Sequence, residues 1–382
     1  MNKHLKYDVI IVGGGLAGLT NAIILSKAKV RVLVIEKKTY PFHKVCGEYV
    51  SNEVKPFLQK LGVNFTKLDT AEINNLRISA PNGKSIHAKL DTGGFGISRY
   101  KLDYHLYKLA LKEGAEILLN SRVEKISFKE DKFNVIINND HTFEAKLVIG
   151  SYGKRDLLDN YLKRSFAGGR TGYMAVKYHV KTDYPRDEVG LYNFKDGYCG
   201  ISKIEDDLYC LCYLTKRGNM KHFKTIPEME EKILFKNPWI KWIFRQSTFL
   251  FEKPYVINEI SFAPKKLVEN HILMCGDSAG LITPLCGNGM SMAIHGAKIL
   301  CDTIINLQVL KKDTIHLTAR MMLENQYQKA WKHQFHQRLY TGRIIQNIFG
   351  SPALNGTMLN ASRLIPQVKN WVIGKTHSTV TI

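Results

Sequence analysis

The chain has 382 residues, 45% hydrophobic and 23% charged. It is longer than an ordinary single domain, and its composition excludes disorder, collagen-like repeats and low-complexity tracts. Lys and Arg number 55 against 34 Asp and Glu, giving a net charge of +21 at pH 7, which favours an anionic surface or substrate. The basic residues are spread along the chain without a recognition module, so nucleic-acid binding is excluded. The seven cysteines include no C-x-x-C pair, which argues against a disulfide framework or metal site and for a reducing compartment. No apolar run reaches the roughly 18 residues of a membrane span, and Val9 to Val12 lead into glycines rather than a secretory cleavage site. The expected location is cytoplasmic, with peripheral contact on the inner face of the membrane left open.

Tyr7 to Val12 form a nearly continuous β-branched run, the pattern of a strand buried on both faces of a parallel sheet. It ends in Gly13-Gly14-Gly15-Leu16-Ala17-Gly18, a G-x-G-x-x-G turn followed by a predicted helix over Leu19 to Lys27. Gly13 permits the tight turn, Gly15 lets a pyrophosphate approach the backbone, and Gly18 allows close helix–sheet packing. A second strand, Val30 to Ile35, ends in Glu36, 23 positions after Gly13, where a carboxylate accepts from ribose hydroxyls and disfavours a 2′-phosphate. This half predicts FAD or NAD rather than NADP. Far downstream, a predicted strand over His271 to Cys275 runs into Gly276-Asp277-Ser278-Ala279-Gly280, then Pro284, Gly287-Asn288-Gly289-Met290 and a predicted helix over Ser291 to Ile305.

This second signature resembles that of FAD-dependent oxidoreductases with the aromatic-hydroxylase (p-hydroxybenzoate hydroxylase) fold, in which the Asp holds a ribitol hydroxyl and the helix N-terminus faces the flavin. The resemblance selects FAD. It narrows to the geranylgeranyl-reductase-like branch through Lys44-Val45-Cys46-Gly47-Glu48, similar to its K-x-C-G-E segment, and through Arg99 to Leu106, similar to its R-x-x-L/F-D-x-x-L motif. The resemblance implies that Ala17, Glu36, Cys46, Gly47, Tyr49, Arg99, Val123, Asp277, Gly287, Gly289 and Met290 meet the cofactor, together with Gly13, Gly15 and Gly18. It makes Cys46 the candidate protonating or steering group and Glu48 a candidate acid/base or a residue that fixes the loop. Two departures stand out. Gly200 replaces the Trp of the branch's G-Y-x-W strand, and Ser151-Tyr152-Gly153 replaces the A-D-G that follows the corresponding strand of the hydroxylases. The latter weighs against an NADPH-driven hydroxylase. Halogenases of this fold carry W-x-W-x-I-P, which the pair Trp239 and Trp242 does not match in spacing or place, so halogenation is excluded.

The implied fold class is α/β: a Rossmann-like FAD-binding domain of the glutathione-reductase type, an inserted antiparallel substrate sheet and a C-terminal helical tail. FAD-domain segments are expected over 1–72, 98–171 and 264–310, substrate-domain segments over 73–97 and 172–263, and the tail over 311–382. Short alternating runs between Gly172 and Ala263 suit antiparallel strands roofing a pocket, with Tyr178, Tyr198 and Cys199 as candidate lining and Pro227 to Phe244 as a helix pair at the sheet edge. In the tail, Trp331, Phe335, Leu339 and Tyr340 form a near-helical stripe among Lys329, Lys332, Arg338 and Arg343, readable as a lipid-facing surface or as packing against the FAD domain. The function implied is reduction of carbon–carbon double bonds in an isoprenoid- or polyketide-like lipid. Hydroxylation of a phenolic or quinone-like lipid and flavin holding without turnover are the alternatives. The flavin is loaded by NAD(P)H or by a reduced electron-transfer protein.

Overall fold

The computed structural model describes residues 5–138, 141–167, 172–283 and 287–349. Its first sheet has the order Val268–Glu269, Ile272–Met274, His141–Gly150, Leu5–Val12, Val32–Ile35, Glu116–Leu118. From Ile272–Met274 onward these strands are parallel, and residues 9–12, Val32–Ile35, 147–149 and Ile272–Met274 are buried on both faces, which explains their apolar runs. In register, Val12 lies opposite both Ile35 and Gly150, and Gly150 opposite Met274. Gly13, Glu36, Ser151 and the turn at Gly276 therefore emerge from one sheet edge, the carboxyl edge where such sheets bind ligands.

The second sheet has nine strands and combines Tyr49–Ser51, Ala71–Ser79 and Ser85–Gly96 with the strands between Tyr173 and Ile260. It is antiparallel apart from one pair, Glu188–Phe194 beside Ala71–Ser79, which run parallel. The helices Ile226–Ile233 and Pro238–Gln246 cover the sheet's outer face rather than its edge. Met229, Ile240 and Ile243 are fully buried there among Val176, Tyr178, Cys199, Leu211 and Tyr213. Both faces of these strands are thus apolar, the inner toward a cleft and the outer toward helices.

The tail resolves the choice between lipid and protein contact for most of its stripe. Leu317–Phe349 is one 33-residue helix, and its i, i+4 series Leu323, Tyr327, Trp331, Phe335 and Leu339 is buried. The Tyr327 hydroxyl donates to the Met274 carbonyl at 2.6 Å, and Arg338 donates twice to the buried carboxylate of Glu53 at 3.0 and 3.2 Å. Lys329, Lys332 and Tyr340 remain exposed. The rest of the predicted tail lies outside the described residues. No described helix is long and apolar enough to cross a membrane.

Under the outer helices, Glu230 is 5% exposed and accepts from the Tyr178 and Tyr213 hydroxyls at 2.9 and 2.8 Å. Burial pushes its carboxyl up to about 7, against the pull of those two hydroxyls toward the ionised form. The folded group keeps its proton to about pH 7 and the unfolded one loses it near 4.5. The stability it contributes is therefore complete at low pH and lost as pH rises through 7. Glu230→Gln keeps the acceptor and removes that loss: urea unfolding should show the variant gaining about 2–3 kcal/mol on the parent between pH 5 and pH 8.

Candidate active site

One cleft of about 540 Å³ runs between the carboxyl edge of the first sheet and the inner face of the second. Gly13, Gly15, Ala17, Glu36, Cys46, Gly47, Tyr49, Arg99, Val123, Asp277, Gly287, Gly289 and Met290 all line it. Gly18 sits behind, against the Gly13 carbonyl. Gly13 has φ +100°, and a Cβ there would come 2.6 Å from the Ser151 carbonyl, so both its conformation and its closeness to the neighbouring strand require glycine. The Leu16–Lys27 helix starts at Gly15 without a side-chain cap or an acid in its first turn, leaving its positive end to a ligand phosphate. Across the cleft, the Gly289–Asn306 helix starts in the same way at Asn288. Gly276, with φ +68° and a Cβ position 2.9 Å from Ala17, lets the two motifs touch.

Electrostatics fix the groups between these helix ends. Glu36 accepts from the Gly14 and Lys38 amides at 2.8 and 3.0 Å, which orients its carboxylate at the cleft wall. Arg99 forms a bidentate pair with Asp103 at 2.7 and 2.8 Å, and Lys44 meets the same carboxylate at 3.0 Å. Burial opposes both charges of the Arg99–Asp103 pair, but their mutual attraction dominates, holding Asp103 low and Arg99 high. Two uncapped helix ends, a net cationic cluster and the acceptors Glu36 and Asp277 fit a ligand with two phosphates, a ribose and a polyol. Those are the parts of FAD.

The K-x-C-G-E loop is clasped to the second sheet. Glu48 is 1% exposed and has the left-handed φ of +57°. Its carboxylate pairs with Lys177, accepts from His179 Nε2 at 2.6 Å and accepts from the Arg99 amide at 2.7 Å. Burial would raise the Glu48 carboxyl, but the Lys177 ammonium outweighs it and holds the group down at about 2. Glu48 is therefore ionised and fully engaged at neutral pH, which fits the loop-fixing role and not that of a proton donor. Lys177 also donates to the Lys44 carbonyl at 3.1 Å, the Cys210 thiol to the Cys46 carbonyl at 3.2 Å, and the Ser202 hydroxyl to the Gly47 carbonyl at 3.4 Å. Glu48, His179 and Cys210 offer ligand atoms within 4.8 Å of one another, but the Lys177 ammonium already supplies the positive charge there. Cys46 lines the cleft and is partly exposed.

Strand register sorts the candidate substrate residues by face. Ile78, Leu191, Gly200, Cys212, Lys177 and Tyr255 lie opposite one another across six strands, and Tyr198, Leu214, Ala175 and Ile257 form a parallel row. Both rows face the cleft, except that Lys177 is drawn into the clasp. Tyr198 is thus cleft lining. Tyr178 and Cys199 are not: each is one residue out of phase, buried on the outer face beside Glu230. At the lip, His43 stacks on Tyr100 and lies 4.9 Å from Phe251 and 5.3 Å from Tyr255 by ring centroid. Burial, aided by Lys177, pushes His43 down to about 4, so this aromatic lip is uncharged at neutral pH.

Tyr152 has taken over the place of the A-D-G acid in a different network. Its hydroxyl donates to Asp159 at 3.1 Å and accepts from Arg164 at 3.2 Å, and Arg164 donates to the Ser278 carbonyl at 3.0 Å, beside Asp277. The carboxylate of this network, Asp159, is 1% exposed and pairs with Arg164 at 3.1 Å.

The clasp predicts a specific pattern of loss. Glu48→Gln leaves Lys177 as a buried unpaired charge and should cost about 3–5 kcal/mol, seen as a lower unfolding midpoint and weaker FAD retention. Adding Lys177→Met to Glu48→Gln should recover most of that loss. A double variant as unstable as the single one contradicts the clasp.

Comparison with known proteins agrees with this geometry. The FAD binding domain family model matches residues 6–206, more than half the chain. Conditioned medium factor receptor 1 of Dictyostelium discoideum is 26% identical over 365 residues, 86% of this chain and 68% of that protein. Digeranylgeranylglycerophospholipid reductase of Methanococcus vannielii is 26% identical over 377 residues, 93% of this chain and 89% of the relative. Among solved structures, the geranylgeranyl bacteriochlorophyll reductase-like protein of Thermoplasma acidophilum superposes with a TM-score of 0.74 at 17% identity, covering 98% of each chain. The flavin-dependent halogenase CmlS superposes with a TM-score of 0.75 at 18% identity over 88% of this chain, which spans 64% of that protein's length. At these identities the two structures establish a shared fold. With its two FAD signatures facing one cleft, the chain belongs to the FAD-binding domain family and is an FAD-dependent oxidoreductase, similar to proteins of the geranylgeranyl-reductase-like branch.

Proposed function

We propose that the protein reduces carbon–carbon double bonds in an apolar, isoprenoid- or polyketide-like substrate. The observation that carries this reading is the cleft roof: Ile78, Leu191, Tyr198, Leu214, Ala175 and Ile257 form an apolar surface facing the cofactor motifs. Such a wall suits a hydrocarbon chain and excludes water. Similarity to a digeranylgeranylglycerophospholipid reductase over 93% of the chain supports the same class of substrate.

Bound FAD, loaded by NAD(P)H or a reduced electron-transfer protein, supplies the electron pair that saturates the double bond. The protein's part is position and a proton. Cys46 is the thiol on the cleft wall, with its backbone held by Cys210, and it donates the proton to the second carbon of the alkene. Glu48, ionised and paired, does not take part in proton transfer; it holds Cys46 in place through the loop. Tyr198 and the apolar rows hold the chain flat against the cofactor. The Trp239–Trp242 pair plays no part here, since both rings sit with the outer helices, where Trp239 bonds the Gly83 carbonyl at 2.9 Å.

Anaerobic reduction with NADPH, NADH or dithionite, followed by an unsaturated lipid extract, tests the reading. Reoxidation of the flavin by lipid without oxygen, with saturated product, is expected. Reoxidation that needs oxygen and places an oxygen atom in the product would make the protein a hydroxylase. Cys46→Ala should retain FAD and slow anaerobic reoxidation by about 10²–10⁴-fold, the usual contribution of a positioned proton donor.

A further inference from the structure

The inner face of the second sheet has a hollow at its centre. Along the Gly197–Lys203 strand, the positions facing the cleft are Tyr198, Gly200 and Ser202, and Gly200 pairs with Leu191 on one side and Cys212 on the other. Three small residues, Gly200, Cys212 and Ser202, therefore meet where the neighbours on the same face are Tyr198, Leu191 and Leu214. This hollow lies against the Cys46–Gly47 loop, because Ser202 bonds the Gly47 carbonyl and Cys210, next on the face beside Cys212, bonds the Cys46 carbonyl.

Backbone conformation does not require glycine at this position, since Gly200 lies outside the left-handed region. Nor does crowding: a Cβ on Gly200 would meet the Cys212 carbonyl and the Leu191 side chain at 3.6 Å and the Gly190 carbonyl at 3.7 Å. Those are ordinary contacts. They contrast with Gly96 and Gly197, where a Cβ would collide with a backbone carbonyl. The lack of a side chain at 200 thus leaves space in the cleft itself, next to the loop that carries the candidate proton donor.

We propose that Gly200 sets the breadth of the substrate: the hollow takes the reacting segment of the chain and makes room for a methyl branch on its double bond. The inference rests on the reading of the cleft as an apolar-chain site. A linear alkene is a flat ribbon that fits under a wall of ordinary side chains, whereas a trisubstituted one carries an extra methyl that needs a recess. Gly200 is a specificity residue in this account, and it performs no proton transfer.

Equilibrium binding to the oxidised, FAD-loaded protein tests this without relying on turnover. The probes are farnesol and its unbranched analogue of equal backbone length, each titrated by perturbation of the flavin spectrum. Gly200→Leu should weaken farnesol by about tenfold or more relative to the linear alcohol, the scale on which a hydrophobic pocket discriminates single carbon groups. Gly200→Ala should fall between parent and Leu. Retained FAD absorbance and an unchanged unfolding midpoint show that the variants fold, and Gly200→Ala alone carries the test if the Leu variant does not. Equal weakening of both alcohols, or no change in either, overturns the proposal. Branch-selective binding with no reduction of any alkene would sink the reductase reading and leave the breadth assignment standing.

Discussion

The cleft depends on one buried ionic contact, the Glu48 carboxylate held between Lys177 and His179. Glu48 lies in a left-handed backbone conformation that costs a non-glycine residue about 1–3 kcal/mol, and its neighbour Gly47 has no side chain with which to anchor the loop. Paired, the carboxylate fixes both the loop that carries Cys46 and the strand that carries the inner row of the roof. The Arg99 amide ties in the helix whose guanidinium faces Gly15. A single carboxylate therefore joins the helix that starts at Arg99, the second sheet and the loop that carries Cys46. Hydrophobic packing could bring two such halves together but would leave their sliding free; charges that must meet at hydrogen-bond distance fix the register.

Much of the cofactor half was legible in sequence because its signals are local. A strand, a glycine turn, a helix and an acid follow each other within 30 residues of Tyr7, and each residue type has its own backbone reason to be there. The roof was less legible, for a physical reason visible in Tyr178 and Cys199. A strand whose outer face is covered by helices is apolar on both sides, so alternation no longer says which side faces the ligand. A weak signal did exist. Lys177 and His179 are the buried polar residues of a largely apolar strand that ends in the exposed Lys181; they lie two positions apart, and the face they share is the one that meets the loop. Their partner, Glu48, lies 129 and 131 positions earlier, and no spacing rule links residues so far apart.

Tyr152 shows how a departure from a family pattern can bring a network of its own. Its phenol carries no negative charge and instead joins two buried ionic groups, Asp159 of the following short helix and Arg164. Arg164 in turn holds the Ser278 carbonyl, next to Asp277. The network ties the end of His141–Gly150 to the turn that follows Ile272–Met274. Gly200 is the converse case, where the departure removes material and the neighbouring side chains leave the gap unfilled.

The packing of the Leu317–Phe349 helix has a consequence for how the holoprotein is born. Ile272–Met274 completes the parallel sheet only by crossing to strands laid down far earlier in the chain, and Tyr327 and Trp331 hold that strand and the glycine turn after it from the far side. A nascent chain on the ribosome presents the first dinucleotide turn early but has neither the second motif nor the helix behind it. The two motifs can therefore close on one ligand only once the chain has been made past Gly289–Asn306. Until the Leu317–Phe349 helix is made, that strand and the glycine turn lack the side chains that pack behind them.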